Sequence, residues 1–203
     1  MQVYLIDGTF ELFRAYYGAP SVSTPSGKEI GAVVGLMLSL IALLRQSNVN
    51  HLASSFDHVL ESFRNRLFPS YKSGVDIPDD LLNQFNQAEE AVRALGIVTW
   101  PMVEYEADDA LATAALRFSP LTAVDQVVIC SPDKDLAQVV KGNRIVTLDR
   151  IRRINRNEND VLKRFGVPPA SIPDFLALVG DVADGIPGIP RWGTQSAATV
   201  LSY

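Results

Sequence analysis

Four apolar runs in this chain close on carboxylates, and that recurrence restricts the fold more than any other feature of the sequence. Val3–Ile6 runs into Asp7, His51–Phe56 into Asp57, Ile97–Trp100 into Glu104-Tyr105-Glu106-Ala107-Asp108-Asp109, and Gln126–Ser131 into Asp133-Lys134-Asp135. Helix-patterned segments lie between them: Phe10–Tyr17, Gly31–Arg45, Leu81–Leu95 and the run beginning Ala110-Leu111-Ala112. Short strands alternating with helices at the spacing of βαβ units predict a doubly wound α/β sheet. Gln126–Ser131 is the most hydrophobic strand, as the centre of a parallel sheet requires, and Arg144–Leu148 adds a further strand. All strand C-termini of a parallel sheet open on one edge, so acids placed there are expected to converge.

Taken singly, each acid has an ordinary explanation: Asp7 caps the next helix, and Glu106, Asp108 and Asp109 sit at a helix start that favours negative charge. Taken together they do not. Adjacent positions on a helix point about 100° apart, so Asp108 and Asp109 cannot both serve one solvated face. Carboxylates packed this closely repel until one takes up a proton or a cation intervenes. The last part of the chain supplies two more acids, Asp181 and Asp184. Histidine is scarce, with His51 and His58 alone, and His58 reads as an incidental loop residue. An oxygen-only donor set suits Mg²⁺ or Mn²⁺ rather than Zn²⁺. Two such ions about 3.5–4 Å apart serve phosphodiester hydrolysis.

With 203 residues, the chain is long enough for one large or two small domains with a sizeable core. No uncharged apolar run reaches the ~18 residues of a membrane span, and Met1–Asp7 reads as a first strand rather than a signal peptide. Cys130 stands alone in an apolar run, a core thiol with no disulfide partner in the chain, and the cytoplasm is the expected location. A formal net charge of -5 argues against a nucleic-acid partner only at first sight. Lys141, Arg144, Arg150, Arg152, Arg153, Arg156, Lys163 and Arg164 collect in one stretch, and a cation-holding protein can be acidic overall yet present positive potential to a phosphate.

Glu61–Lys72 carries Arg64, Arg66, Tyr71 and Lys72 with Phe63, Leu67 and Phe68 between them. Such a mixture suits a nucleic-acid strand, bases on rings and phosphates on cations; a solvated helix with an apolar underside is the alternative. Gly74–Asp80 is polar and contains proline, and Gly96 ends the helix Leu81–Leu95. From Asn155 onward the sequence changes to short helices (Asp160–Phe165, Ile172–Val179, Thr194–Leu201) joined by Gly/Pro turns. We therefore expect a core over 1–154 and a small helical subdomain over 155–203.

The set Asp7-Gly8, Phe56-Asp57, Tyr105-Glu106-Ala107-Asp108-Asp109, Asp133-Lys134-Asp135 and Gly180-Asp181-Val182-Ala183-Asp184 resembles the structure-specific 5′ nucleases. That family includes the 5′–3′ exonuclease domain of bacterial DNA polymerase I and the flap endonucleases, on a PIN-like fold. The resemblance runs from Val3 to about Leu201. It implies metal-dependent cleavage of DNA at 5′ ends, flaps, nicks or gaps, independent of sequence. Asp7, Asp57, Glu106, Asp108 and Asp109 would form the tighter metal site, and Asp133, Asp135, Asp181 and Asp184 the second. Asp108 and Asp133 stand at its catalytic centre. By the same likeness, residues around 63–85 form a helical arch in which Tyr71 stacks on a base and Lys72 meets the scissile phosphate, with Arg14 near substrate phosphates.

Gly185–Ala198 resembles the family's helix–hairpin–helix, which would grip duplex DNA through Gly185, Gly188, Ile189, Arg191, Gly193 and Thr194, with a K⁺ ion at the turn. Ser73-Gly74-Val75 follows Lys72 where the family places an arginine, and Pro190-Arg191-Trp192 replaces the usual glycine followed by small or basic residues. Family domains continue past the hairpin, so the expectation is either a weak downstream-duplex grip or a grip supplied by another segment or chain, such as a polymerase acting in trans. Two other readings compete: a DNA-binding accessory protein with weak turnover, and a PIN-type endoribonuclease, which lacks the hairpin segment. A Rossmann enzyme is disfavoured, since no G-x-G-x-x-G follows the first strand.

Overall fold

The computed structural model describes residues 1–72 and 77–202, so Ser73-Gly74-Val75, the position of the family's arginine, and Tyr203 lie outside the described residues. Six strands form one sheet: β1 (Gln2–Asp7), β2 (Leu52–Asp57), β3 (Val98–Met102), β4 (Gln126–Cys130), β5 (Ile145–Asp149) and β6 (Ile154–Arg156), in the order β3-β2-β1-β4-β5-β6. Five strands run parallel, and β6 returns antiparallel against β5. The helices are α1 (Gly8–Gly18), α2 (Gly31–Leu44), α3 (Phe63–Leu67), α4 (Asp79–Leu82), α5 (Phe85–Ala94), α6 (Ala107–Phe118), α7 (Glu158–Phe165), α8 (Ile172–Val179) and α9 (Thr194–Leu201). None of the described helices is long and apolar enough to cross a membrane.

Side chains alternate along a strand, so the inner strands bury both faces. Tyr4 and Ile6 of β1 pack with Leu12 of α1, Leu36 and Leu40 of α2 and Val92 of α5. Val3 and Leu5, one residue out of phase, meet Leu111 and Ala115 of α6 on the opposite face. Burying one such Leu or Ile stabilises the fold by roughly 1.5–3 kcal/mol, and Leu5, Ile6 and Ile129 are fully buried. The strand order reverses between β1 and β4, and open α/β sheets form their ligand crevice where that reversal occurs, beyond the strands' C-terminal ends. A third cluster, Val161, Ile172, Phe175, Leu176 and Ala197, seats the C-terminal helices against Ala137 and Val140.

Several expected elements take a different form. Leu81–Leu95 is two helices, α4 and α5, interrupted at Gln84. Gln84 is fully buried; its side chain accepts from Val33 N (3.2 Å) and donates to the Asp80 carbonyl (2.9 Å), tying the interruption to α2. The segment after β4, whose sequence pattern predicts a helix through Val140, is a 3₁₀ helix, Asp135–Val139, which Val140 ends in extended conformation. The sheet extends through Arg156, with Thr147 facing Arg156 in the β5–β6 register. Around residues 63–85 the described chain holds only the short helices α3 and α4 and the start of α5.

Candidate active site

The crevice at the β1–β4 switch is a cavity of about 600 Å³ lined by seven carboxylates: Asp7, Asp57, Glu106, Asp108, Asp133, Asp181 and Asp184. Each reaches it by a different route. Asp7 ends β1 and caps α1, accepting from Phe10 N at 2.8 Å, while its other oxygen accepts from Ser131 at the end of β4, also at 2.8 Å. Asp57 ends β2 and accepts from Ala107 N at 2.7 Å, the first residue of α6. Its own N–H donates to Thr9 on α1 at 2.7 Å. Three elements are thereby locked together around the crevice.

Glu106 caps α6 and is buried, holding together the segment 62–72. It accepts from Ser62 (2.7 Å), Arg64 (3.2 Å), the Tyr71 hydroxyl (3.1 Å) and Lys72 Nζ (3.2 Å). Burial works against its charge, but the Ser62 hydrogen bond and the Lys72 and Arg64 charges outweigh it and hold its pKa below the usual range. Lys72 adopts a φ of 36°, which L side chains rarely take, and its N–H donates to the Asp184 carbonyl at 3.3 Å.

The loop that carries Asp181 and Asp184 depends on glycine. Gly188 has a φ of +66°, and a Cβ there would lie 2.5 Å from Gly180 N; Gly185 has a φ of +73°, and its Cβ would lie 2.5 Å from the Ser70 carbonyl. That close approach seats the loop on the segment carrying Tyr71 and Lys72. Asp181 is buried and pairs with Lys134 at 2.7 Å.

The electrostatics follow from crowding. Burial, then the neighbouring charges of Asp57 and Asp133, outweigh two hydrogen bonds and raise the Asp7 carboxyl to about 7. Burial with the Asp7 and Asp133 charges holds Asp108 well above the ordinary range. Burial with Asp133, Asp184 and Asp181 raises Asp135 to about 7, and burial raises Asp57 and Asp184. Asp135, Asp181 and Asp184 each bring one oxygen within 4.8 Å of the others, and Asp135 Oδ1 is buried with no hydrogen-bond partner among the described residues. Buried carboxylates with elevated pKa values, an unpartnered oxygen and no imidazole or thiol donor in the lining fit a hard divalent cation.

Not every candidate reaches the cavity. Asp135 and Asp109 are absent from its lining: Asp135 stands beside Asp181 and Asp184 at its edge, while Arg64 holds Asp109 by two parallel bonds (2.7 and 2.8 Å), and Asp109 accepts from Glu106 N at 3.0 Å to complete the α6 capping box. Arg64, expected on nucleic acid, is thus engaged by Asp109 and Glu106. Arg14 bonds to buried Glu11 and to Ser39 (2.7 Å), where Arg150 joins Glu11 at 2.8 Å. The Tyr71 ring is buried, and Arg66 is exposed beside Glu104. Gly185, Gly188, Ile189 and Arg191 lie between α8 and α9, Gly193 caps α9, and Thr194 starts it. Thr9, Ser62, Ser131 and Lys134 carry no sequence signal of a site role beyond Lys134 standing inside the Asp133–Asp135 motif, and Arg164 shares the positive potential of the basic stretch without its position there pointing to a cavity.

Arg64→Ala should cost stability, because it leaves Asp109 unpaired and Glu106 with one cation fewer. Allowing for the partial exposure of the pair, the loss is roughly 1–3 kcal/mol. Urea unfolding measures it as a lower midpoint at unchanged m; an unchanged midpoint refutes the clamp.

A PIN-like α/β sheet thus carries an acid-lined, oxygen-donor cavity at its switch point. The chain belongs to the 5′–3′ exonuclease family, whose N-terminal resolvase-like domain description matches residues 2–166. It is 34% identical over 200 residues to the 5′–3′ exonuclease of Aquifex aeolicus, covering 98% of this chain and 68% of that protein. To DNA polymerase I of Pseudomonas aeruginosa it is 40% identical over 200 residues, covering 98% of this chain and 22% of the polymerase. A bacteriophage T5 protein co-crystallised with metal ions superposes with a TM-score of 0.81 at 17% identity, over 100% of this chain and 75% of that one. The T5 flap endonuclease in a pseudo-enzyme-product complex with DNA and metal ions gives 0.76 at 17% identity with the same coverage. At such identity these two structures show the fold.

Proposed function

We propose that the chain hydrolyses phosphodiester bonds of DNA at 5′ ends, flaps, nicks or gaps, using two divalent cations held by its acids. The convergence of seven carboxylates from five separate chain segments on one cavity carries this reading. Asp7, Asp57, Glu106 and Asp108 would hold one ion, and Asp133, Asp135, Asp181 and Asp184 the other. Asp109 contributes by fixing Arg64 and Glu106. Mg²⁺ is the proposed physiological ion, with Mn²⁺ able to replace it. Bound cations would supply the charge that activates a water and offsets the negative charge developing on the phosphate.

The chain's own residues set up the substrate. Lys72 lines the cavity beside Glu106, and its burial-opposed but carboxylate-raised pKa keeps it cationic where a scissile phosphate would lie. Phe10 and Phe13 line the same cavity and give a base an apolar surface to pack on. Backbone N–H groups of the hairpin and the α9 N-terminus would hold duplex phosphates without reading sequence, with K⁺ at the turn. Replication or repair in the cytoplasm is the proposed setting, with a polymerase in trans as a partner. The absence of an arginine in Ser73-Gly74-Val75 favours one second reading, a DNA-binding accessory protein with weak turnover.

A labelled 5′-flap, nicked and single-stranded DNA panel with Mg²⁺, Mn²⁺ or EDTA tests the reading. Cleavage of the flap or nick with metal and none with EDTA is expected; binding without cleavage favours the accessory role. Lys72→Ala should slow cleavage more than it weakens binding, whereas equal losses would reduce Lys72 to a backbone contact.

A further inference from the structure

Three cations line the acid cavity: Lys72, Lys134 and Arg164. Two of them are engaged, Lys72 with Glu106 at 3.2 Å and Lys134 with Asp181 at 2.7 Å. Arg164, in the last turn of α7, differs. Its guanidinium lies over the Phe165 ring, 4.8 Å from the centroid, and among the described residues it has no carboxylate partner and donates no hydrogen bond. A guanidinium held over a ring without hydrogen-bond partners has N–H groups to spare, and their fork matches the oxygens of a phosphate. Seven carboxylates share the cavity, so an unpaired cation there is not explained by a shortage of acids.

The surroundings reinforce the point. Arg156 on β6 and Arg152 in the preceding turn lie near enough for their charges, after burial, to lower the Arg164 pKa. Arg152, itself exposed, pairs with the buried Asp149 at 3.3 Å, whose charge partly offsets the arginines, and Arg156 has no carboxylate partner among the described residues. Like charges gathered around Arg164 repel one another, and the net lowering of its pKa shows that Asp149 offsets this only in part.

We propose that Arg164, backed by Arg156, is a phosphate subsite: it takes a non-scissile phosphodiester of the strand whose scissile phosphate lies among the acids. This deepens the nuclease reading by locating a second phosphate on the C-terminal helical layer, away from the segment that carries Lys72. Recognition is by charge and the guanidinium fork, so it is independent of base identity.

The test is binding of a fluorescent 5′-flap DNA to the full chain in Ca²⁺ across a NaCl series, for the parent, Arg164→Gln and Arg164→Lys. One lost phosphate contact lowers the slope of log K against log salt by roughly 0.7–0.9 in Arg164→Gln, with binding about 3–10-fold weaker; Arg164→Lys restores the slope but only part of the affinity. With Mg²⁺, the Arg164→Gln defect falls mainly in KM. A parent-like slope and KM in Arg164→Gln overturn the subsite while leaving the nuclease reading intact. A parent that binds but never cleaves, while Arg164→Gln shows the expected slope change, overturns the nuclease reading and leaves the subsite standing. A parent that does not bind DNA overturns both.

Discussion

Replacing Asp108 or Asp133 by Asn should abolish cleavage of a 5′-flap DNA and leave the fold intact. Both side chains line the acid cavity and come from separate segments, the first turn of α6 and the loop after β4. Asn matches Asp in size but carries no charge, so the change removes an anionic oxygen without opening a void. Little internal bonding is lost: Asp133 Oδ1 accepts from Asp135 N at 2.9 Å, and the Asn carbonyl can do the same. Losing a group that merely orients a metal ligand typically costs ~10–100-fold, so loss of a proposed ligand should exceed that range. Circular dichroism should match the parent, and metal-free Asp108→Asn should melt no lower, because one of the crowded charges has gone. Parent-rate cleavage by either variant would show that the reacting phosphate lies elsewhere.

The second large effect is on stability. The Asp7 and Asp135 carboxyls rise from an ordinary 3.8 to about 7 in the folded chain, and burial is the first cause for both. A carboxyl whose folded pKa exceeds its unfolded one keeps a proton that the unfolded chain has already released. Between about pH 4 and pH 7, therefore, unfolding releases protons, and stability falls as pH rises. The Asp7 shift alone corresponds to roughly 4 kcal/mol as an upper bound. Water and salt reaching the open cavity reduce the expected loss to about 1–3 kcal/mol, or a drop of roughly 4–10 °C in Tm between pH 5 and pH 8 in EDTA. Divalent cations bind the deprotonated acids, so saturating Mg²⁺ or Mn²⁺ should restore stability most at pH 8. A metal-free Tm that stays level or rises over that interval contradicts the crowding.

Much of this was legible in the sequence, because the relevant signals are local. Strand runs ending in Asp7 and Asp57 announced both the sheet and the edge on which its acids meet, and Ile172–Val179 and Thr194–Leu201 form helices over the expected spans. The rest depended on tertiary context. β6 is three residues long, too short to show a period, and Gln84 breaks a helix-patterned run because its amide is satisfied across the fold by Val33 and Asp80. The segment carrying Arg64 and Tyr71 reads as a surface for nucleic acid, yet Glu106 and Asp109 draw both side chains inward. Charge and aromaticity are visible in a sequence; which partner reaches a side chain first is not. Arg164 shows the converse: it is one residue of a basic stretch visible in the sequence, and only the fold singles it out by bringing it to the cavity.

The most direct test of the account is calorimetric titration of Mn²⁺ into the parent chain and into Asp108→Asn at pH 8. The account predicts saturable binding of about two ions to the parent, with at least one of them lost or much weakened in the variant. Identical isotherms for the two proteins, or no saturable binding to the parent, would contradict it.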